Sequence, residues 1–294
     1  MNISVSGLKR KNKIRGRIIK IALVQLKAMT SKQENIDRGL KAIERASQRG
    51  AKLIIFPELS FLPFFPQNPV NPLAASLAET IPGPTTDIIC GVAKKFGVVI
   101  VINLYERLGK KTYDSSPIID GDGSIAGIVR MVHIMEGPGF HEKRYYCPGN
   151  LSLLTFPTKV GRVGVAICYD RHFPEYMRIL ALQKAQIVVV PQAGAKNEWP
   201  KGIFEAELRV AAFQNGYFVA LANRVGQEEV LNFSGESFVV DPYGQVIAQA
   251  PSGKETIIFA DCDLNLINNC PAKKHFLLDR RPDFYKKIFI RDKR

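Results

Sequence analysis

Apolar and polar positions alternate along this chain between two periods. "IIKIALVQL" and "KLIIFPEL" are apolar runs of strand length. Between them "SKQENIDRGLKAIERASQRG" reads as an amphipathic helix. Ser31, with Glu34 three residues on, predicts a capped helix start, and Gly50 sits where a helix stop belongs. A Pro/Phe/Asn-rich loop over Phe61 to Pro72 leads to a helix near Thr85–Phe96. "GVVIVINLYE" then predicts one strand, and "SPIIDGDGSIAGIVRMVHI" a hairpin turning at Asp120–Gly123.

The second half echoes this order. "VGRVGVAICYD", "AQIVVVPQA" and "YFVALANRVG" predict strands, separated by the helices "PEYMRILALQK" and "IFEAELRVAAFQN". "ESFVVDPYGQVIAQA" predicts a second hairpin, and "ETIIFADCDL" closes the core. Two halves that each mix βα units with a hairpin predict an α/β fold with two packed sheets and helices outside. No residue-level repeat and no domain linker divides the chain, so the expectation is one domain over residues 18–272. A basic N-terminal tail (1–17) and a basic C-terminal arm (273–294) flank it.

Composition agrees with a large core, since 46% of the residues are hydrophobic. No apolar run reaches the roughly 18 residues needed to cross a bilayer, and no signal-peptide pattern opens the chain. A cytoplasmic protein without membrane contact is expected. The net charge of +14 sits at the ends: seven Lys/Arg without an acid in residues 1–20, and nine against three acids in residues 273–294. The body is close to neutral, so nucleic acid is not expected as a partner; only a salt-sensitive contact through the tails would supply one. Five cysteines, with no CxxC pair and no His-rich spacing, indicate neither a metal site nor a disulfide framework.

Candidate chemistry lies where apolar strands end in polar residues. In "VGVAICYDRHFPEY" a strand delivers Cys168 to a turn before Pro174 opens a helix. The helix N-terminus there is expected to lower the thiol pKa. The alternative reading of Cys168 is a buried strand cysteine. Glu58 ends "IIFPEL", where a carboxylate is costly unless paired or functional, and beside a thiol it can act as general base. Glu142, in "FHEKRYY", is a second acid in an aromatic stretch.

In their order, "FPEL", "YYCPGN" after Glu142, "GVAICYD", "FQNGYFVALANRVG" and "GESFVVDPYG" resemble the carbon–nitrogen hydrolases of the nitrilase superfamily, from about Ile18 to Tyr285. The resemblance is nearest to the N-carbamoyl amino acid hydrolase and ureidopropionase branches. It implies a four-layer α-β-β-α sandwich of two mixed sheets that usually dimerises, with no metal or organic cofactor. It further implies Cys168 as a thioester-forming nucleophile, Glu58 as general base and Glu142 as a second glutamate that orients the site. The family's lysine falls in a pattern like Arg-Lys-x-His; here the tetrapeptide is Arg130-Met131-Val132-His133, which puts Met131 at the lysine position. Lys143, Arg130, His133 and His141 are the cations near enough in sequence to substitute. On a continued strand His133 would share a face with Met131.

Arg171, three residues after Cys168, matches the arginine that binds the substrate carboxylate in those branches; capping its own turn, paired with Asp170 or Glu175, is the other reading. His172 could assist or fill space, and Asn197, Glu198 and Trp199 lie on a loop placed for a pocket. The backbone N–H of Tyr169 is the expected oxyanion donor. Together these predict hydrolysis of a small amide or N-carbamoyl substrate bearing a carboxylate. The rival, which rests on Met131, is a catalytically silent nitrilase-fold protein that binds or scaffolds.

Overall fold

The computed structural model describes residues 17–289. The expected basic tail, except Arg17, and the last five residues of the C-terminal arm lie outside them. The chain forms two large mixed sheets flanked by helices. In the first, Ile18–Gln25, Leu53–Ile55 and Val99–Val101 run parallel. Thr256–Asp263 closes one edge antiparallel, and the hairpin Lys111–Ile119/Ile125–Arg130 extends the other. The second is centred on the parallel strands Gly161–Val165, Ile187–Gln192 and Phe218–Asn223.

Strand periodicity decides what each face meets. In the first sheet Ile21, Leu23, Leu53, Ile55, Val99 and Val101 turn to one core. Val163, Val189 and Leu221 of the second sheet, with Tyr176 and Leu180 of the helix Pro174–Leu182, belong to the same core. The intervening Ala22, Val24, Ile54 and Ile100 turn the other way. They meet Ile36 and Ile43 of the helix Lys32–Gln48 and Ile89 of the helix Pro84–Phe96. The Ser31 hydroxyl accepts the Glu34 N–H at 3.3 Å, and Gly50 takes a left-handed φ of +84°, so both helix ends form as the sequence predicts.

Three local readings are corrected. "GVVIVINLYE" is two strands, Val99–Val101 and Leu104–Leu108, because Asn103 leaves the ladder. Its side chain donates inward to Asp114 and Ser116, and its N–H donates to the Ser60 hydroxyl. The strand before the cysteine ends at Val165, and Cys168 instead opens a short 3-10 turn, Cys168–His172. The strand before Met131 ends at Arg130, so His133 does not share a strand face with Met131.

Candidate active site

Glu58 and Cys168 meet because each follows the carboxyl end of a parallel strand in one of the two facing sheets. Both stand in unusual backbone. Cys168 has φ +43° and Leu59, next to Glu58, φ +44°. Left-handed backbone at non-glycine residues costs on the order of 1–3 kcal/mol and persists only where the surroundings hold it. Asn103 is part of that hold, accepting the Leu59 N–H at 2.7 Å. Arg224, fully buried, is the rest. Its guanidinium donates to the carbonyls of Glu58 (2.8 Å), Leu59 (2.9 Å) and Leu62 (2.8 Å) and pairs with Glu228.

Gln192 Nε2 donates to the Cys168 sulfur at 3.3 Å, and the Glu58 carboxyl lies beside the thiol with neither of its oxygens hydrogen-bonded to a protein group. Glu142 opens the turn Glu142–Arg144 and accepts the Met135 N–H at 3.1 Å. Asp114, in the middle of the strand Lys111–Ile119, completes the group beside Glu58. Glu58, Asp114 and Glu142 are all wholly buried, and each keeps at least one carboxyl oxygen without a protein partner. Sequence reasoning missed Asp114; the only signal was the polar run Asp114-Ser115-Ser116 inside an otherwise strand-like segment.

Met131 is fully buried beyond the end of its strand. Its N–H donates to the Asp114 carbonyl at 2.9 Å and its own carbonyl accepts the Gly149 N–H at 2.7 Å. A Cβ on Gly149 would lie 2.4 Å from the Arg130 carbonyl oxygen, so the "CPGN" loop needs glycine to close on this segment. The four cations near in sequence are placed elsewhere. Arg130 bonds Glu106 at 2.6 Å, His133 Nδ1 meets Asp170 at 2.7 Å, His141 meets Glu136 at 3.2 Å, and Lys143 is exposed. Among the described residues no lysine or arginine pairs with Glu58, Asp114 or Glu142.

The electrostatics follow from that arrangement. Burial, then the charges of Asp114 and Glu142, raise the Glu58 pKa well above the carboxylate range. Burial and Asp114 raise Glu142 likewise, and burial raises Asp114 to about 7. Burial also pushes the Cys168 thiol up, reinforced by Glu58, Glu142 and Glu198. This corrects the expectation of a lowered thiol pKa. The helix begins only at Pro174, and burial together with the surrounding acids outweighs the Ala193 N–H that favours the thiolate.

Arg171 is buried, with its side chain wholly inaccessible. Nη1 donates to Glu207 at 2.7 Å and to the Phe204 carbonyl at 3.2 Å, while Nε and Nη2 have no protein partner. It pairs with neither Asp170 nor Glu175. Asp170 instead accepts the His133 N–H, and Glu207 on the helix Ile203–Asn215 also holds His172 Nδ1 at 2.8 Å. Glu207 was not anticipated, because a half-buried acid on a helix carries no signal of its partner. Tyr169 and Trp199 flank the His172 ring at 5.3 and 4.7 Å. Asn197, exposed at φ +58°, lines with Glu198, Trp199 and Glu236 a cleft of about 500 Å³. Cys168, Glu58 and Glu142 do not line that cleft; Glu198, whose charge acts on the thiol, joins the two. Among the described residues no His/Cys/Asp/Glu group could hold a metal ion, and no helix is long and apolar enough to cross a membrane.

A cysteine in strained backbone beside a buried glutamate, at the meeting of two sheets, has the makings of a nucleophile and its base. The chain belongs to the carbon-nitrogen hydrolase family, which it matches over residues 20–272, and is a carbon–nitrogen hydrolase of the nitrilase superfamily. It is 31% identical to an N-carbamoylputrescine amidase of Solanum tuberosum, covering 95% of this chain and 97% of that one. To a citrullinase of Francisella tularensis it is 34% identical, covering 92% and 98%. A crystal structure of a carbon-nitrogen hydrolase from Helicobacter pylori G27 superposes with a TM-score of 0.86 at 32% identity, over 92% of this chain and 98% of the other.

Proposed function

We propose that this enzyme hydrolyses the carbon–nitrogen bond of a small amide or N-carbamoyl compound bearing a carboxylate, through a thioester on Cys168. Glu58 takes the thiol proton as sulfur attacks the carbonyl carbon, returns it to the departing amine or ammonia, and then activates the water that releases the acid. Glu142 and Asp114 orient Glu58, and the Tyr169 N–H receives the developing oxyanion. Arg171, clamped by Glu207, offers its two unpartnered nitrogens to the substrate carboxylate. His172 and Asn197 border the approach. Residues 18–272 form the catalytic domain in this reading, and the protein works as a cytoplasmic homodimer with a four-layer sandwich in each subunit.

The observation that carries this reading is Cys168, in left-handed backbone, with Gln192 bonded to its sulfur and the buried Glu58 carboxyl as its neighbour. Ammonia release from a panel of N-carbamoyl amino acids and primary amides tests it; activity should disappear in Cys168→Ala. One observation favours a second reading, a catalytically silent scaffold: among the described residues no lysine or arginine pairs with the buried carboxyls of Glu58, Asp114 and Glu142. Ammonia release equal in native protein and Cys168→Ala across the whole panel would support it.

A further inference from the structure

The acids around Cys168 outnumber what a neutral carbonyl substrate needs. The partnerless buried acceptors near the thiol are both Glu58 oxygens, Asp114 Oδ2, Glu142 Oε1 and Gln192 Oε1. Gln192 turns its amide nitrogen to the sulfur, and the one partnerless donor beside the carboxyls is the Tyr146 hydroxyl. A carbonyl oxygen wants donors, which these carboxyls supply only while they hold a proton. A planar cation on the reacting carbon wants the reverse: its N–H groups pair with carboxylates, bidentately where geometry allows. An independent feature points to the other end of the same ligand. Arg171, with its side chain wholly buried, keeps Nε and Nη2 without partners, and its charge acts on Cys168.

We propose that the site also accepts, as substrates, guanidino acids and carboxylate-bearing amidines, whose cationic carbon seats on Glu58, Asp114 and Glu142 while the carboxylate pairs with Arg171. This rests on the reading of Cys168 as nucleophile and extends it to a substrate that supplies the positive charge the protein lacks. Burial first, and the neighbouring acids second, keep Glu58 and the thiol protonated, and such a cation offsets the second of these. The Cys168 thiol passes its proton to Glu58 as sulfur bonds to the guanidinium carbon. Glu58 returns that proton to one amino group, and the C–N bond breaks to release ammonia, leaving an S-linked isothiouronium. Water then adds to that carbon, giving one proton to Glu58 and one to solvent. The C–S bond breaks as Glu58 reprotonates the sulfur, yielding the ureido acid. The net change is guanidinium plus water to ureido compound plus ammonium, with no oxidant or reductant.

The test is a pair of near-isosteric alkylating agents, 2-chloroacetamidine (cationic) and 2-chloroacetamide (neutral), with labelling of Cys168 followed by peptide mass spectrometry. Each rate is divided by that of glutathione. The amidine should be favoured at Cys168 by about tenfold or more, as one charge-assisted pairing implies. Glu142→Gln should bring that preference toward one, and guanidinoacetate should yield ammonia with native protein but not with Cys168→Ala. Equal rates, or preference for the amide, would overturn this inference while leaving the amide hydrolase intact. Persistence of the full preference in both Glu142→Gln and Asp114→Asn would overturn the assignment to these carboxyls. If neither reagent labels Cys168 faster than it labels glutathione, the nucleophile reading falls as well.

Discussion

Glu58 belongs to two buried charged regions that are built on opposite terms. Its backbone carbonyl joins Arg224, whose guanidinium is met by three carbonyls and the Glu228 carboxylate. Its side chain joins Asp114 and Glu142, where, among the described residues, no cation pairs with the carboxyls. The first region is a compensated charge and acts as structure, pinning the loop that carries Glu58 to the second sheet. The second leaves its acids short of partners, and unmet buried groups beside a proposed nucleophile are where function is expected. A protein that compensates one buried charge completely and leaves three buried acids beside Cys168 without a cation is reserving the second set for a ligand or a proton.

Removing the Cys168 thiol should have the largest effect. Cys168→Ala is expected to lower turnover by roughly 10⁴-fold or more, measured as ammonia release, without loss of fold by circular dichroism. Cutting the compensated region should instead cost stability. Arg224→Ala leaves Glu228 and three carbonyls buried without their donor and should destabilise by about 3–5 kcal/mol in urea unfolding.

The uncompensated region should show itself in pH dependence. The folded protein holds protons on Glu58, Asp114 and Glu142 that the unfolded chain releases near its ordinary carboxylate values. Their contribution to stability is therefore full below about pH 4 and is lost as pH rises through about 7, the value for Asp114. Urea unfolding at pH 5.5 and pH 8 should show the protein less stable at the higher pH by an amount on the order of 1–3 kcal/mol. Asp114→Asn should flatten the difference. The smallest effect sharpens the role of the clamp: Glu207→Gln frees Arg171 and should raise KM for carboxylate substrates about tenfold, with kcat less affected.

How far the sequence revealed these regions depends on where each residue sits. Glu58, Cys168 and Glu142 could be read because each breaks an apolar or aromatic run, and a costly residue in such a place advertises itself. Met131 could be read only by resemblance, since a buried methionine is ordinary. Asp114 hid inside a strand whose alternating pattern tolerates polar residues. Glu207 looked like any helical acid, and Arg224 lay in a segment read as plain strand. The three share a cause: their partners come from elsewhere in the chain, up to 166 residues away for Arg224 and Glu58. The reversed thiol pKa has the same origin, because burial by the assembled fold, and then acids from three segments, raise it.

The most direct measurement of the central claim is mass spectrometry of the native protein quenched during reaction with N-carbamoyl amino acids, carboxylate-bearing amides and guanidinoacetate. A substrate-derived mass is expected on the peptide containing Cys168, absent from Cys168→Ala. If the native protein shows no adduct and no product with any of them, while Met131→Lys gains both, the site is a disarmed hydrolase and the account is contradicted.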